Sequence, residues 1–147
     1  MKILFLDFDG VINPISFHHS SSGFSKAACA NVQSILVKDP NVRIVVSSAW
    51  RRNGLEVVRK ILQENGIDHT KVIDLTEESG GFDPGNRDQQ IKNWLKNHPE
   101  IKDFAILDDS AILKDFESHY VKTNGYVGLT HQDAERALEI LNANKKV

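Results

Sequence analysis

Two short acidic runs carry the chemistry open to this sequence: Asp7-Phe8-Asp9, which closes the apolar stretch Leu4-Phe5-Leu6, and Asp108-Asp109, which closes Phe104-Ala105-Ile106-Leu107. Apolar runs of this kind read as buried strands, so each acidic pair stands at a strand's carboxyl end, the edge where open parallel sheets bind ligands. Carboxylates so close repel one another and are costly to bury ionised unless a cation or a shared proton compensates. A divalent metal resolves the conflict. Mg²⁺ suits the cluster, because it takes few carboxylates, fills its other positions with water and phosphate oxygens, and needs no cysteine or histidine. Acids after one strand are as readily loop or cap residues; two strands ending in acids point to one convergent site.

A third run, Ile44-Val45-Val46-Ser47-Ser48-Ala49-Trp50-Arg51, is a strand that ends in hydroxyls with cations just beyond. Hydroxyls and free backbone N–H groups at a strand-to-helix turn make a ready anion site for a phosphate oxygen. Taken alone it is a weak signal, since serine is common in turns.

These residues must be held by a framework, and the apolar spacing supplies one. Strand-like runs lie at Ile3–Leu6, Val42–Val46, Val72-Ile73, Phe104–Leu107 and Tyr120-Val121, with helical spacing between them at Val57, Val58, Ile61 and Leu62, at Ile91, Trp94 and Leu95, and at Ala134, Ala137, Leu138 and Leu141. Alternating strand and helix predicts an α/β fold with a five-stranded parallel sheet covered by helices on both faces. Asn53-Gly54 precedes the second helix, Asn65-Gly66 ends it, His98-Pro99 ends the third, and Thr130 with Asp133 can cap the last. Glu77 to Asn86 reads as an irregular loop.

The chain has 147 residues and a net charge of -2, fitting one domain over residues 1–147 and giving no footprint of a strong non-specific nucleic-acid binder. The lone Cys29, among Ala27, Ala28 and Ala30, is expected to be a buried small residue without a catalytic role. No apolar run is long enough to span a membrane, and a strand follows directly on Met1, so a cytoplasmic location is expected.

Aspartates after the first strand, Ser47 after the second, a basic residue before the fourth and Asp108-Asp109 after it resemble the haloacid dehalogenase (HAD) superfamily, whose first motif is Asp-x-Asp followed by Thr or Val. Asp7-Phe8-Asp9-Gly10-Val11 matches that motif in full. The resemblance implies a three-layer Rossmann-like fold and a phosphatase with Asp7 as nucleophile and Asp9 as general acid and base. It also implies Mg²⁺ held by Asp7, the Asp9 carbonyl and Asp108, with Asp109 as a further ligand, and a phosphoryl group held by Ser47 and the Ser48 N–H. The family also uses a Lys or Arg against the crowded negative charge; Arg87 is the first choice and Lys92 the second. A receiver domain also combines aspartates, a hydroxyl and a lysine. There the phosphorylated Asp ends the third strand, where this chain has only Asp74-Leu75-Thr76.

Cap domains, which select substrates in this superfamily, have no room between Asn13 and Ser25 or after the third strand. The site is therefore expected to be open, as suits a large substrate. The run Val46 to Arg51, Trp94-Leu95, Leu107 to Asp109 and Gly128-Leu129-Thr130 are similar to small HAD domains of RNA-repair proteins and to the phosphatase half of polynucleotide kinase-phosphatases. A nucleic-acid 3′-phosphate end is thus the preferred partner, a nucleotide or sugar phosphate the alternative, and a non-catalytic phosphate-binding role the least favoured. Arg51 and Arg52 are candidates for a substrate phosphate. The segment Phe17 to Phe24, with His18 and His19, could touch the leaving group. His69, His98, His119 and His131 read as surface or capping residues.

Overall fold

The five apolar runs form one parallel sheet in the computed structural model, which describes residues 1–17, 24–77, 87–110 and 114–145. Strands β1 (Lys2–Leu6), β2 (Val42–Val46), β3 (Val72–Leu75), β4 (Phe104–Asp108) and β5 (Tyr120–Lys122) lie in the order β3-β2-β1-β4-β5. Every neighbouring pair is parallel. Four helices accompany them: α1 (Lys26–Lys38), α2 (Leu55–Glu64), α3 (Arg87–Lys96) and α4 (His131–Leu141).

Side chains alternate across a strand, so β1 serves two cores at once. Leu4 and Leu6 join a cluster with α1, α2 and α4, including Val32, Val58 and Ala137. Ile3 and Phe5 face Ile91 and Trp94 of α3, with the Phe5 ring edge-on to Trp94 at 5.5 Å between centroids. The result is the three-layer Rossmann-like arrangement that the alternation predicts. Neither the β1–α1 nor the β3–α3 connection is long enough to hold a cap domain. None of the described helices is long and apolar enough to cross a membrane.

The expected punctuation has visible causes. Ser25 caps α1 by accepting from the Ala28 N–H at 3.1 Å. Thr130 and Asp133 form a reciprocal capping box on α4, at 3.1 and 3.0 Å. Cys29 is fully buried, and burial pushes its thiol up to about 11, which leaves it protonated and inert. Two histidines differ from the surface reading: His98 stacks on Trp94 at 3.8 Å and His119 on Phe104 at 3.9 Å, both half-buried. Their flat rings cover apolar neighbours that solvent would otherwise reach.

At the amino edge of the sheet, the Lys2 ammonium donates to Asp39 Oδ2 and to Asn142 Oδ1, each at 2.6 Å. One side chain thereby ties β1 to the ends of α1 and α4. Burial works to raise the Asp39 carboxyl, but the hydrogen bonds from Lys2 and the Asn41 N–H outweigh it and hold the group below the usual range. The pair's contribution is therefore complete above the unfolded carboxylate value of about 4 and is lost as pH falls through the lowered folded value. Lys2→Met is expected to cost about 3–5 kcal/mol near neutral pH in urea unfolding, because Asp39 stays buried without its partner. The deficit should shrink on acidification; one that ignores pH would trace the loss to packing instead.

Candidate active site

Register sets the site. Leu6 pairs with Leu107 across β1 and β4, so the next residues, Asp7 and Asp108, emerge side by side. The chain leaves β1 for α1 on one face, while α3 covers the other and leads into β4. Between these two strands lies the crevice where the winding direction reverses. Asp7 and Asp108 are 4 % and 0 % exposed. Asp109 is half-buried beside them, and one oxygen of each of the three lies within 4.8 Å of the others.

Arg87, the first residue of α3, is aimed into this cluster. Its Nη1 donates to Asp108 Oδ2 at 2.6 Å and lies 3.1 Å from Asp7 Oδ2. Burial works to lower the Arg87 pKa, and Asp7 with Asp108 more than reverse it, so the guanidinium stays charged. Even so, Asp7 is pushed up to about 8, mainly by burial, further by Asp108, with Arg87 only partly offsetting both. Asp109 is also raised, by burial first and then by Asp108. Lys92 points elsewhere and pairs with Asp115, so of the two sequence candidates Arg87 is the one that meets the acids.

A divalent cation fits this donor set. Mg²⁺ takes oxygen ligands about 2.1 Å away, and three carboxylate oxygens within 4.8 Å of one another are near enough to converge on one such ion. The raised Asp7 marks charge that one buried arginine leaves uncompensated.

Asp9 is arranged differently. It is exposed, and its Oδ1 accepts from Asn13 Nδ2 at 2.8 Å and from Trp50 Nε1 at 3.1 Å. One oxygen is thereby fixed in place. The turn that aims it is tight: the N–H groups of Val11, Ile12 and Asn13 all donate to the Phe8 carbonyl, and Gly10 takes a φ of +83°. A Cβ on Gly10 would lie 2.1 Å from Asp109 Oδ2, so only glycine fits. From the far side, Thr123 Oγ1 donates to the Gly10 carbonyl at 2.8 Å and the Thr123 N–H to the Asp108 carbonyl at 2.9 Å.

Ser47 follows β2, with its N–H on the Leu6 carbonyl, and is completely buried with an Oγ that has no hydrogen-bond partner among the described residues. Buried hydroxyls are seldom left so, and a phosphoryl oxygen would satisfy this one. Ser48 Oγ instead accepts from the Trp50 N–H and caps the 3-10 turn Ala49–Asn53. Arg51 donates back to the Ser48 carbonyl at 2.9 Å and lies over that of Ser47 at 3.4 Å, bracing the loop from behind. Arg52 is exposed. His18 and His19, and the loop from residue 78 to 86, lie outside the described residues.

Asn13, Trp50, Thr123 and Gly125 were not singled out from sequence for any role here. Asn13, four residues beyond Asp9 across a glycine turn, carried the one local signal. The others come from distant segments.

A family model described as the HAD domain in Swiss Army Knife RNA repair proteins matches residues 3–134. Comparison with curated proteins and with solved structures gives no match.

Two outcomes follow from the geometry. Since the folded value of Asp7, about 8, lies above its unfolded value of 3.8, the metal-free protein should lose stability as pH rises from 3.8 toward 8. Thermal melts in chelator should show this fall, Mg²⁺ should flatten it, and Asp7→Asn should remove it; a pH-independent melt in chelator would refute the assignment. Second, a Cβ on Gly125 would stand 2.6 Å from Asp109 Oδ2, the far end of a movable side chain. Gly125→Ala should keep the fold yet weaken Mg²⁺ binding by about tenfold in calorimetric titration, as changes next to metal ligands do.

Proposed function

The chain belongs to the HAD domains of Swiss Army Knife RNA repair proteins, and from that premise we propose that it is a Mg²⁺-dependent phosphomonoester hydrolase working through an aspartyl-phosphate on nucleic-acid 3′-phosphate ends. The observation that carries this reading is the division between two carboxylates one residue apart. Asp7 is buried against Arg87, whereas Asp9 is exposed and pinned by one oxygen. A nucleophile needs shielding and charge compensation; a proton carrier needs access and a fixed direction.

In the first half-reaction an Asp7 carboxylate oxygen attacks phosphorus, the ester P–O bond breaks, and the leaving oxygen takes its proton from Asp9. In the second, Asp9 removes a proton from water as that water attacks the phosphorus, and the Asp7–phosphate bond breaks to release inorganic phosphate. Arg87 offsets part of the negative charge that holds a proton on Asp7, a bound Mg²⁺ would offset the rest, and the guanidinium draws the phosphoryl oxygens toward Asp7. Ser47 Oγ, with the Ser48 N–H, donates to the phosphoryl group in transit. Asp7, the Asp9 carbonyl and Asp108, with Asp109 assisting, would hold Mg²⁺, which would supply positive charge against the phosphate oxygens. Together these groups must lower a barrier by on the order of 20 kcal/mol, since unaided phosphomonoester hydrolysis is so slow.

Substrate size follows from the absence of a cap. With no cap domain over the exposed Asp9 among the described residues, a polynucleotide end can approach and itself exclude water from the site. The same chemistry on a free nucleotide or sugar phosphate is the competing reading.

A phosphate-release panel with Mg²⁺ tests both. Preference for 3′-phosphorylated oligonucleotides over 5′-phosphorylated ones, nucleotides and sugar phosphates is expected; equal turnover of small esters would favour the alternative. Asp7→Asn should abolish release. Asp9→Asn should cut turnover by about 10²–10⁴-fold with Mg²⁺ affinity retained, whereas Asp108→Asn should lose Mg²⁺ affinity. Equal losses of affinity in the last two would contradict their roles.

A further inference from the structure

Where the carboxyl end of β3 meets α3 lies a cavity of about 330 Å³. Thr76 and Gln90 line it, 2 % and 4 % exposed, and Thr76 Oγ1 and Gln90 Oε1 both lack a hydrogen-bond partner among the described residues. Two orphaned polar atoms in one cavity call for a ligand that satisfies them. Both adjoin the site already described. The Thr76 N–H donates to the Val46 carbonyl, which places Thr76 one strand over from Ser47, and Gln90 follows Arg87 by three residues on the same helix. A strand spacing of about 4.8 Å and a helical pitch of about 5.4 Å match the step from a phosphate to its own sugar.

The lining indicates what kind of group enters. Among the described residues no lysine or arginine borders the cavity, and Asp74 and Glu77 do, so an anion is disfavoured. Asp74 Oδ2 already accepts from Trp94 Nε1 at 2.8 Å, and the stacked Trp94–His98 pair makes one wall flat and apolar. A flat wall, an amide acceptor and a hydroxyl that both donates and accepts suit an uncharged heterocycle with its sugar. We propose that this cavity is a subsite for the terminal nucleoside attached to the scissile phosphate. The assignment rests on the phosphatase reading for its role, while its binding chemistry stands on the cavity alone.

Titration of the full chain with the uncharged nucleosides adenosine, guanosine, cytidine and uridine, followed by calorimetry and by amide shifts, tests the subsite without turnover. At least one should bind at millimolar concentration or below. Thr76→Val and Gln90→Leu, made separately, should each weaken it by about tenfold, the scale of one hydrogen bond. Both exchanges remove an unsatisfied buried polar atom, so folding should be retained, which a melt verifies. In parallel, kcat/KM for a nucleoside 3′-monophosphate should fall about tenfold relative to that for p-nitrophenyl phosphate. No nucleoside bound by the wild-type protein, or equal losses on both esters, would overturn the subsite. Failure of the phosphatase reading would look different: no phosphate released from either ester, with nucleoside binding and its sensitivity to both variants intact.

Discussion

Asp7, Asp108 and Asp109 hold oxygens within 4.8 Å of one another at one edge of the sheet, and the first two are almost wholly removed from water. Two unit charges about 4 Å apart near a protein surface repel by about 4 kcal/mol, roughly three pK units. Burial is the larger cause of the displacement of Asp7 from 3.8 to about 8, and this repulsion adds to it. Left alone, such a cluster would hold a proton instead of presenting three free carboxylates. Much of the fold nearby serves to supply opposing charge at this point and to keep the three acids from drifting apart.

Topology brings the opposing charge. Because β4 lies beside β1 rather than at the end of the sheet, the chain must cross from β3 over the opposite face, and the helix that makes the crossing starts with Arg87. The same helix buries Ile91 and Trp94 against Ile3 and Phe5, so the register that packs this core also fixes where the guanidinium arrives. Rigidity comes from the other side. The segment after β5 closes on the first motif: Thr123 bonds to Gly10 and to Asp108, the Leu129 N–H to the Val11 carbonyl, and the Ile15 N–H to the Gly125 carbonyl. Asp109 is thereby lodged between two glycines, Gly10 and Gly125, where any Cβ would displace it.

What could be read from sequence divides along a physical line. Strands, helix caps and the two acidic runs are local: Thr130 and Asp133 lie within one turn, and Asp7 and Asp9 follow a continuous apolar run. The choice between Arg87 and Lys92 is not local. Both sit on one helix with suitable charge, and only the packing of Ile91 and Trp94 decides which points at Asp108 and which at Asp115. Trp50 stood in view as part of a motif, yet its indole N–H reaches Asp9 only because β2 lies beside β1. Arg51 shows the reverse case, since a cation next to Ser48 suggests a phosphate ligand while a 3-10 turn folds it back onto the loop's own carbonyls. Nothing beside His98 and His119 in sequence marks a partner for them; their partners are rings brought close by tertiary packing.

The contrast between Asp7 and Asp9 shows how a site without a cap domain can still shield one of two neighbouring carboxylates. In a capped enzyme a second domain excludes water from both acids together. Here Phe8, fully buried and packed against Phe24 and Trp50, anchors the strand end between them and separates their surroundings. Asp7 is sealed by the sheet and α3, whereas Asp9 stays at the surface, steadied by Asn13 and Trp50 instead of by a lid. Trp50 does both tasks, since its ring covers Phe8 while its N–H holds Asp9. With the shielding built into the strand end, the described residues leave Asp9 exposed at the rim, where the proposed function needs room for a large substrate.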